Sequence, residues 1–287
     1  AGAGEAFTHE LSHGLRRWIA ALPAGVGLAT LHAGLRLCVS VPPDRAGLFS
    51  AGNGAAMRSA IIGVACAWDT DNGARLADLV SRSSRLTHTD PKATYGAIAV
   101  AVGAACFARH EIGAVGVLEK IAAALSEPGA GELRELLQVV GESIEAGETT
   151  EAFAQMRYPR GASGYVYQTV PVALHAALSY PTDFRAAVRS VLACGGDTDT
   201  VAAITGAIVG ANVGTNGVSE DLRRGIWEPT GLLKNVEARE QTFAAAWQTG
   251  TTQNVVYVPY PVALARNALF AVIVLYHGFR RLLPPYG

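Results

Sequence analysis

The sequence predicts an all-α fold, a single compact multi-helix domain that covers residues 1–287. Apolar residues recur with helical periodicity along most of the chain, and the alternation typical of strands is nearly absent. Hydrophobic residues make up 50% of the chain, which can fill a sizeable core at this length. Glycine and alanine are abundant and only 16% of residues are charged, which favours closely packed helices with small residues at their contacts.

Prolines and glycines separate the predicted helices, as at Pro42-Pro43, Pro128-Gly129 and Pro284-Pro285. Loops stay short, and neither a low-complexity linker nor a fixed-period repeat is present, so the sequence predicts one domain and not a solenoid. The predicted helices, in order, are Glu5–Leu22, Gly25–Leu37, Ala55–Ala67, Asp71–Thr87, Pro91–Ala108, Ile112–Leu125, Gly131–Ala146, Thr149–Tyr158, Val170–Leu178, Asp183–Ala193, Thr200–Gly214, Ser219–Gly225, Val236–Thr249 and Tyr260–Leu283.

The net charge and the spacing of the cysteines limit the classes of function that the sequence allows. A net charge of −1 gives no electrostatic footprint for nucleic acid or for an anionic membrane. The cysteines lie in apolar stretches without CxxC spacing, which indicates buried thiols in a reducing compartment. Without an export signal at the start of the sequence, we expect a cytoplasmic protein. The four cysteines are Cys38, Cys66, Cys106 and Cys194.

One apolar segment near the end, from Val262 to Tyr276, raises the question of a membrane span. Arg266 and Asn267 interrupt it, and it falls short of the ~20 residues that a span needs. We therefore expect a core helix and no membrane association.

The most informative stretch is Cys194-Gly-Gly-Asp-Thr-Asp-Thr-Val-Ala. In it, Asp197, Asp199 and Thr200 lie together at the N-terminus of a predicted helix of small residues. Two carboxylates at such an entrance repel one another unless a cation lies between them, and oxygen-only ligands favour magnesium over zinc. The alternative is an Asx-type cap with a second Asp that complements the helix dipole. The pattern alone leaves both interpretations open.

Three further segments stand out. The loop Phe49–Arg58 has glycines at 52 and 54 that allow close approach to a ligand, and it runs into a helix whose free amides can receive a phosphate; an ordinary Gly-Asn turn is the alternative. His88 and Asp90 precede a helix that starts at Pro91, where a capping or structural histidine is the common case. The loop 161–171 carries Tyr165 and Tyr167, which either stack on a nucleobase or anchor the loop to the core.

Together these segments resemble the ADP-ribosylglycohydrolase family, all-helical magnesium-dependent hydrolases related to dinitrogenase reductase-activating glycohydrolase. The family's GNGxAMR loop is matched by residues 52–58, its TH-x-[DS] turn by 87–90, and its GGDTDT-[IV]-A signature by 195–202. Three motifs in the family's order make the resemblance specific, and it covers essentially the whole chain.

The resemblance implies hydrolysis of the C1″ glycosidic bond of ADP-ribose attached to a protein or a small acceptor, by a chain that acts as a monomer. It implies a binuclear Mg²⁺ centre with Asp197, Asp199 and Thr200 among its ligands and with the two aspartates as catalytic groups. It also implies a substrate-binding set for the diphosphate, the distal ribose and the adenosine end. That set is Ser50, Gly52, Asn53, Gly54, Arg58, His88, Gly164 and Tyr165.

The sequence also departs from the family pattern. Family members open with a GDALG-type helix, an upstream Glu and a Thr-Asp-Asp-Thr turn that supplies further metal ligands, and none of these is in the sequence. We therefore expect a chain N-terminally truncated relative to the family, a chain whose upstream residues lie outside this sequence, or a degenerate homologue. A catalytically impaired ADP-ribose-binding homologue is the alternative to an active hydrolase.

A second motif points to a different chemistry. His9-Glu10-Leu11-Ser12-His13 fits the HExxH pattern of zinc peptidases, in which two histidines one turn apart bind zinc and Glu acts as general base. Only eight residues precede His9 and no third ligand stands at a metzincin spacing, so we interpret the segment as a solvated helix surface.

Overall fold

The computed structural model describes residues 2–71, 73–226, 234–250 and 258–281, and this part of the chain is all-α, as the sequence predicts. Apart from three isolated β-bridges and two 3-10 turns, its regular structure consists of α-helices. They are α1 Ala3–Ala20, α2 Leu28–Cys38, α3 Pro43–Ala46, α4 Ala60–Ala65, α5 Ala74–Arg85, α6 Pro91–Ala108, α7 Ala114–Ala124, α8 Gly131–Glu145, α9 Thr150–Arg157, α10 Val166–Ser179, α11 Phe184–Ala193, α12 Thr198–Gly217, α13 Glu220–Arg224, α14 Lys234–Thr249 and α15 Tyr260–Arg281.

The central helix is α6, whose bounds agree with the prediction. Pro91 occupies its first turn, and the side chain of Asp90 caps it by accepting a hydrogen bond from the Lys92 amide. Almost every later residue of α6 is buried against α4, α5, α7, α10 and α12. A Cβ at Gly63 of α4 would lie 1.9 Å from the carbonyl oxygen of Ala101, so α4 and α6 cross with their backbones nearly in contact.

Two helices differ from their predicted bounds for identifiable reasons. The predicted helix Ala55–Ala67 is a 3-10 turn at Ala56–Arg58 followed by the short α4. Helix α10 begins at Val166 and runs through Pro171, which lacks the N–H that would bond the carbonyl of Tyr167. The hydroxyl of Tyr158 donates to that carbonyl instead, at 3.2 Å.

One short helix was not predicted, and one predicted helix end lies outside the described part of the chain. Helix α3 was missed because Pro42-Pro43 reads as a breaker, whereas Pro43 is the first residue of the helix, where its missing N–H costs nothing. The residues 282–287, which include the predicted end at Leu283 and the breaker Pro284-Pro285, lie outside the described part of the chain.

The internal contacts of the chain divide between two units. The first comprises residues 1–12 and 27–220, and it contains the segments for which the sequence predicts binding. The second comprises residues 13–26 and 221–287. Within it, the hydroxyl of Tyr260 donates to the carbonyl of Ala20, and the side-chain amide of Asn267 donates to the carbonyl of Ala21. The single-domain prediction stays a prediction.

Helix α15 is not the core helix that the sequence predicts. Within the described residues, α6 and α15 are the helices long and apolar enough to cross a membrane by length and composition, and α6 is mostly buried inside the protein. Only 6% of the apolar window of α15 is buried, and many of its apolar side chains are exposed. The exposed ones include Leu269, Phe270, Val272, Leu275, Tyr276 and Phe279.

Candidate functional site

Backbone hydrogen bonds join the four segments that the sequence singles out. The glycine loop, Phe49–Arg58, is joined at its start to the histidine turn, Thr87–Asp90, where the Thr89 amide donates to the carbonyl of Leu48 at 2.7 Å. The glycine loop also pairs with the tyrosine loop, residues 161–171, where the Asn53 amide donates to the Gly164 carbonyl at 2.9 Å. The tyrosine loop in turn pairs with the GGDTDT segment, since the Asp197 amide donates to the Ala162 carbonyl at 2.7 Å.

Two glycines make the last of these pairings possible. Gly161 and Gly196 both have a left-handed φ, +82° and +80°. A Cβ on Gly196 would lie 2.2 Å from the carbonyl oxygen of Ala162, and one on Gly161 would lie 2.3 Å from the nitrogen of Gly196. The two loops therefore pack backbone against backbone, which requires glycine on both sides. Gly195 also has a positive φ but faces open space.

The side chain of Asp197 links the GGDTDT segment to the glycine loop. Asp197 is the residue before α12, which begins at Thr198 and not at Thr200 as predicted, and its side chain makes no capping hydrogen bond. Its Oδ2 instead accepts a 2.6 Å hydrogen bond from Nδ2 of Asn53. Asp197 thus stands at the N-cap position of α12 with its carboxylate bonded to Asn53, and Asp199 lies in the first turn, so the cap and metal-ligand interpretations of the pair both stay predictions.

The two carboxylates at the start of α12 have different surroundings. Asp197 is half-buried, and burial alone raises its pKa; hydrogen bonding with Asn53, Asp199 and Thr200 together outweighs burial, so the pKa of Asp197 lies below its usual value. Asp199 is exposed in the first turn of α12. The expected repulsion is thus relieved in part by hydrogen bonds around Asp197.

Asn53 is held in place by a residue that the sequence analysis missed. Its Nδ2 also donates to Oγ1 of Thr169 at 2.9 Å, and that hydroxyl donates to the carbonyl of Ser163 at 3.0 Å. Thr169 is fully buried on α10, in an apolar stretch that gives no signal of a polar role. Gly164 packs beside this group, because a Cβ added to Gly164 would lie 3.5 Å from Oδ2 of Asp197.

His88 lies beneath the glycine loop and is 3% exposed. A Cβ on Gly52 would lie 3.1 Å from its Nε2, and one on Gly54 would lie 2.9 Å from its Cε1. The two glycines therefore let the loop rest on the imidazole ring. Burial and the charge of Arg58 lower the pKa of His88 to about 4, so the ring is neutral at physiological pH.

Arg58 is engaged with the protein itself. Its Nη1 donates to the carbonyl of Gly54, its Nη2 donates to the carbonyl of Ser83 and to Oγ1 of Thr87, and its Nε donates to Oγ of Ser83. Four of its five N–H groups are thereby used to fix the glycine loop against the turn that carries His88. Burial lowers the pKa of Arg58 to about 10, and direct contact of its side chain with substrate stays a prediction.

The other predicted substrate-binding residues lie around the same loop. Oγ of Ser50 accepts a 3.3 Å hydrogen bond from the Gly52 amide. Tyr165 is half-exposed, and its hydroxyl lies 3.0 Å from Nζ of Lys92, which also bonds Glu132 at 2.6 Å. Tyr167 is 1% exposed and belongs to the core, so of the two tyrosines only Tyr165 offers a ring to a ligand.

The HExxH residues show no zinc site. His9, Glu10 and His13 are exposed on α1, and the polar contact made there is between Nδ1 of His9 and Oε1 of Glu10 at 3.3 Å. In residues 2–71, 73–226, 234–250 and 258–281, no three His, Cys, Asp or Glu side chains are grouped so as to hold a metal ion. The structure supports the interpretation of this segment as a solvated helix surface.

The donor set of the site suits one hard cation better than two. Asp197, Asp199 and Thr200 offer oxygen atoms at one helix entrance, which is the ligand type that Mg²⁺ prefers. A pair of ions needs more carboxylates than these two, and the described residues bring no further acidic side chain into the group.

Comparison with known proteins identifies the family. A family model described as ADP-ribosylglycohydrolase matches residues 2–252. The chain belongs to the ADP-ribosylglycohydrolase family. Membership supports a hydrolase function of the glycohydrolase type.

Two further proteins are similar to this ADP-ribosylglycohydrolase family member, one in sequence and one in structure. An uncharacterized protein of Archaeoglobus fulgidus is 31% identical over 200 residues, which are 69% of this chain and 61% of that protein. The chain thus spans less than two thirds of the length of this relative. A solved structure titled "ADP-ribosylglycohydrolase-related protein complex" is 24% identical and superposes with a TM-score of 0.60 over 91% of this chain and 74% of the other; it supports the fold.

Proposed function

We propose that this protein hydrolyses the C1″ glycosidic bond of ADP-ribose attached to a protein or small acceptor, with Mg²⁺ as cofactor. The observation that carries the proposal is the hydrogen bond from Asn53 to Asp197, which joins the loop suited to a diphosphate to the carboxylates suited to a metal. A ligand bound at the glycine loop therefore reaches the GGDTDT segment.

The glycine loop binds the diphosphate. Free backbone amides at the start of a helix or 3-10 turn attract phosphate oxygens, and the small residues Gly52 and Gly54 leave the backbone accessible. Asn53 cannot also donate from Nδ2, because that amide already serves Thr169 and Asp197. Its contribution to binding comes from the loop conformation that it fixes.

The adenosine end of the substrate lies at the tyrosine loop. Gly164 borders it, and the ring of Tyr165 is the exposed aromatic surface on which a base stacks. The bond from Lys92 to the Tyr165 hydroxyl limits the rotation of that ring.

Asp197, Asp199 and Thr200 hold the cation. When bound, Mg²⁺ polarises oxygen ligands and orients the ribose and the attacking water. The hydrogen bonds that lower the pKa of Asp197 keep it ionised, as a metal ligand must be. Asp199 is exposed, so its carboxylate can accept a hydrogen bond from water.

A second candidate function is binding of ADP-ribose without turnover. The observation that favours it is the small number of carboxylates at the site, since Asp197 and Asp199 have no third acidic partner among the described residues. Diphosphate binding by backbone amides needs no such partner, whereas catalysis by a metal needs a complete set of ligands and a placed base.

One experiment separates the two functions. ADP-ribose binding is measured by calorimetry with and without Mg²⁺, and release of free ADP-ribose from a modified protein is followed under the same conditions. Turnover that requires Mg²⁺ supports the hydrolase; binding without turnover supports the second candidate; absence of both rejects the assignment of the site.

We further propose that the protein acts in the cytoplasm as a monomer, without nucleic-acid or membrane partners.

A further inference from the structure

A chain of hydrogen bonds runs from Arg58 to His88 beneath the glycine loop. Nη2 of Arg58 donates to Oγ1 of Thr87 at 2.6 Å, and the same oxygen lies 2.7 Å from Nδ1 of His88. Thr87 is 1% exposed and His88 is 3% exposed. The chain is therefore shielded from solvent, and its proton positions are set by the protein.

The direction of these bonds follows from the donors available. Arg58 carries only donors, so Oγ1 of Thr87 must accept from it. The hydroxyl hydrogen of Thr87 then goes either to the carbonyl of Ser84, 3.4 Å away, or to Nδ1 of His88 at 2.7 Å. The shorter distance favours the histidine. The opposite arrangement, with Nδ1–H donating to Oγ1, would leave the Thr87 hydrogen only the 3.4 Å bond to Ser84, so we assign Nδ1 as the acceptor and place the hydrogen of the neutral ring on Nε2.

The consequence appears at the glycine loop. Nε2 is the ring atom that faces Gly52, since a Cβ there would lie 3.1 Å from it. An Nε2–H at this place gives the loop a donor in addition to its backbone amides. Phosphate and hydroxyl oxygens accept such a bond, whereas the other tautomer would present a lone pair and repel a phosphate.

We propose that Arg58 and Thr87 are positioning residues that hold His88 as the Nε2–H tautomer and so set the imidazole as a neutral hydrogen-bond donor at the glycine loop. The ligand contact rests on the proposed function, because the acceptor is an oxygen of the diphosphate or ribose. The tautomer itself belongs to the free protein and does not depend on any ligand.

The test has an arm without ligand and an arm with ligand. In the first, long-range ¹H–¹⁵N spectra of histidine-labelled protein report which ring nitrogen carries the hydrogen, and His88→Asn assigns the signal among the seven histidines. We expect the Nε2–H form in the wild type and in Thr87→Ser, and loss of that single form in Thr87→Val. A wild-type ring with hydrogen on Nδ1 overturns the proposal, as does a spectrum that Thr87→Val leaves unchanged.

The second arm measures the affinity for ADP-ribose of the same proteins. Thr87→Val is expected to weaken binding about fivefold, the order expected for one hydrogen bond, and Thr87→Ser to restore it. Ser83→Ala is the matched control, because it removes another partner of Arg58 but leaves Thr87 in place. If the wild type does not bind ADP-ribose, the proposed function fails while the tautomer result stands; if Thr87→Val binds as tightly as the wild type, the positioning role fails.

Discussion

Nδ2 of Asn53 donates a 2.6 Å hydrogen bond to Oδ2 of Asp197, a residue 144 positions further along the chain. The bond joins a loop before α4 to the start of α12. The carboxylate is thereby held towards the glycine loop.

The first prediction concerns this bond. Asn53→Ala and Asp197→Ala should each lower the free energy of unfolding, and a double-mutant cycle should give a coupling of about 1.5–3 kcal/mol, the value of a hydrogen bond to a charged group. Urea unfolding without Mg²⁺ measures it. Asp199→Ala, an exposed neighbour, is the control and should couple to Asn53 by less than about 0.5 kcal/mol. Equal coupling for both aspartates would count against the geometry.

The second prediction concerns the paired glycines. Gly196→Ala should cost at least about 3 kcal/mol, because its Cβ meets the Ala162 carbonyl and its φ is left-handed. Gly195→Ala has the same backbone problem but open space, so it should cost only about 1 kcal/mol. The free energies of unfolding of the two variants test the difference. Similar values would show that the loops are not packed backbone to backbone.

The third prediction concerns pH. His175 is fully buried on α10. Burial lowers the pKa of His88 and of His175 to about 4, from 6.5 in the unfolded chain. Between these values the unfolded chain binds protons that the folded protein does not, so the stability present above pH 6.5 is lost as the pH falls towards 4. The loss is roughly 3 kcal/mol for each histidine.

The variants His88→Gln and His175→Gln identify the source of that loss. Each should remove about one proton from the slope of unfolding free energy against pH between 5 and 6.5. Exposed His9→Gln is the control and should leave the slope close to that of the wild type. A wild-type slope near zero in this interval would contradict the burial of both rings.

The fourth prediction concerns the aromatic surface at the tyrosine loop. Tyr165→Ala should weaken ADP-ribose binding about tenfold or more, because a stacked base loses its aromatic partner. Tyr165→Phe keeps the ring and loses only the hydroxyl contacts with Lys92 and Glu132, so its affinity should stay within about threefold of the wild type. Calorimetric titration distinguishes them. If both variants bind like the wild type, the adenosine end lies elsewhere.

The sequence was sufficient for the fold class and for most helices because apolar periodicity and proline or glycine breakers are local signals. The pattern at Pro91–Ala108 combines a cap, a proline at the first position and a long apolar run, and its bounds were predicted without error. Helix α10 was placed four residues late, since its passage through Pro171 depends on a hydroxyl from Tyr158, a contact that no local pattern contains.

The candidate site divides in the same way. The glycines, carboxylates and His88 belong to motifs and were found in the sequence. Thr169 and Lys92 were not, and Thr87 was found within its motif without a role of its own, because each acts through a neighbour that only the folded chain supplies. The exposure of α15 was also missed, since an apolar segment looks alike in sequence whether it is buried or exposed.

The most direct test of the central claim is calorimetric titration of the wild type and of Asn53→Ala with ADP-ribose, with and without Mg²⁺. We predict binding of one ADP-ribose per chain by the wild type, tighter with Mg²⁺, and loss of the Mg²⁺ effect in Asn53→Ala, because Asp197 then no longer faces the glycine loop. Wild-type protein that binds no ADP-ribose under either condition, or an Asn53→Ala variant that keeps the full Mg²⁺ effect, would contradict a single site built from the two segments.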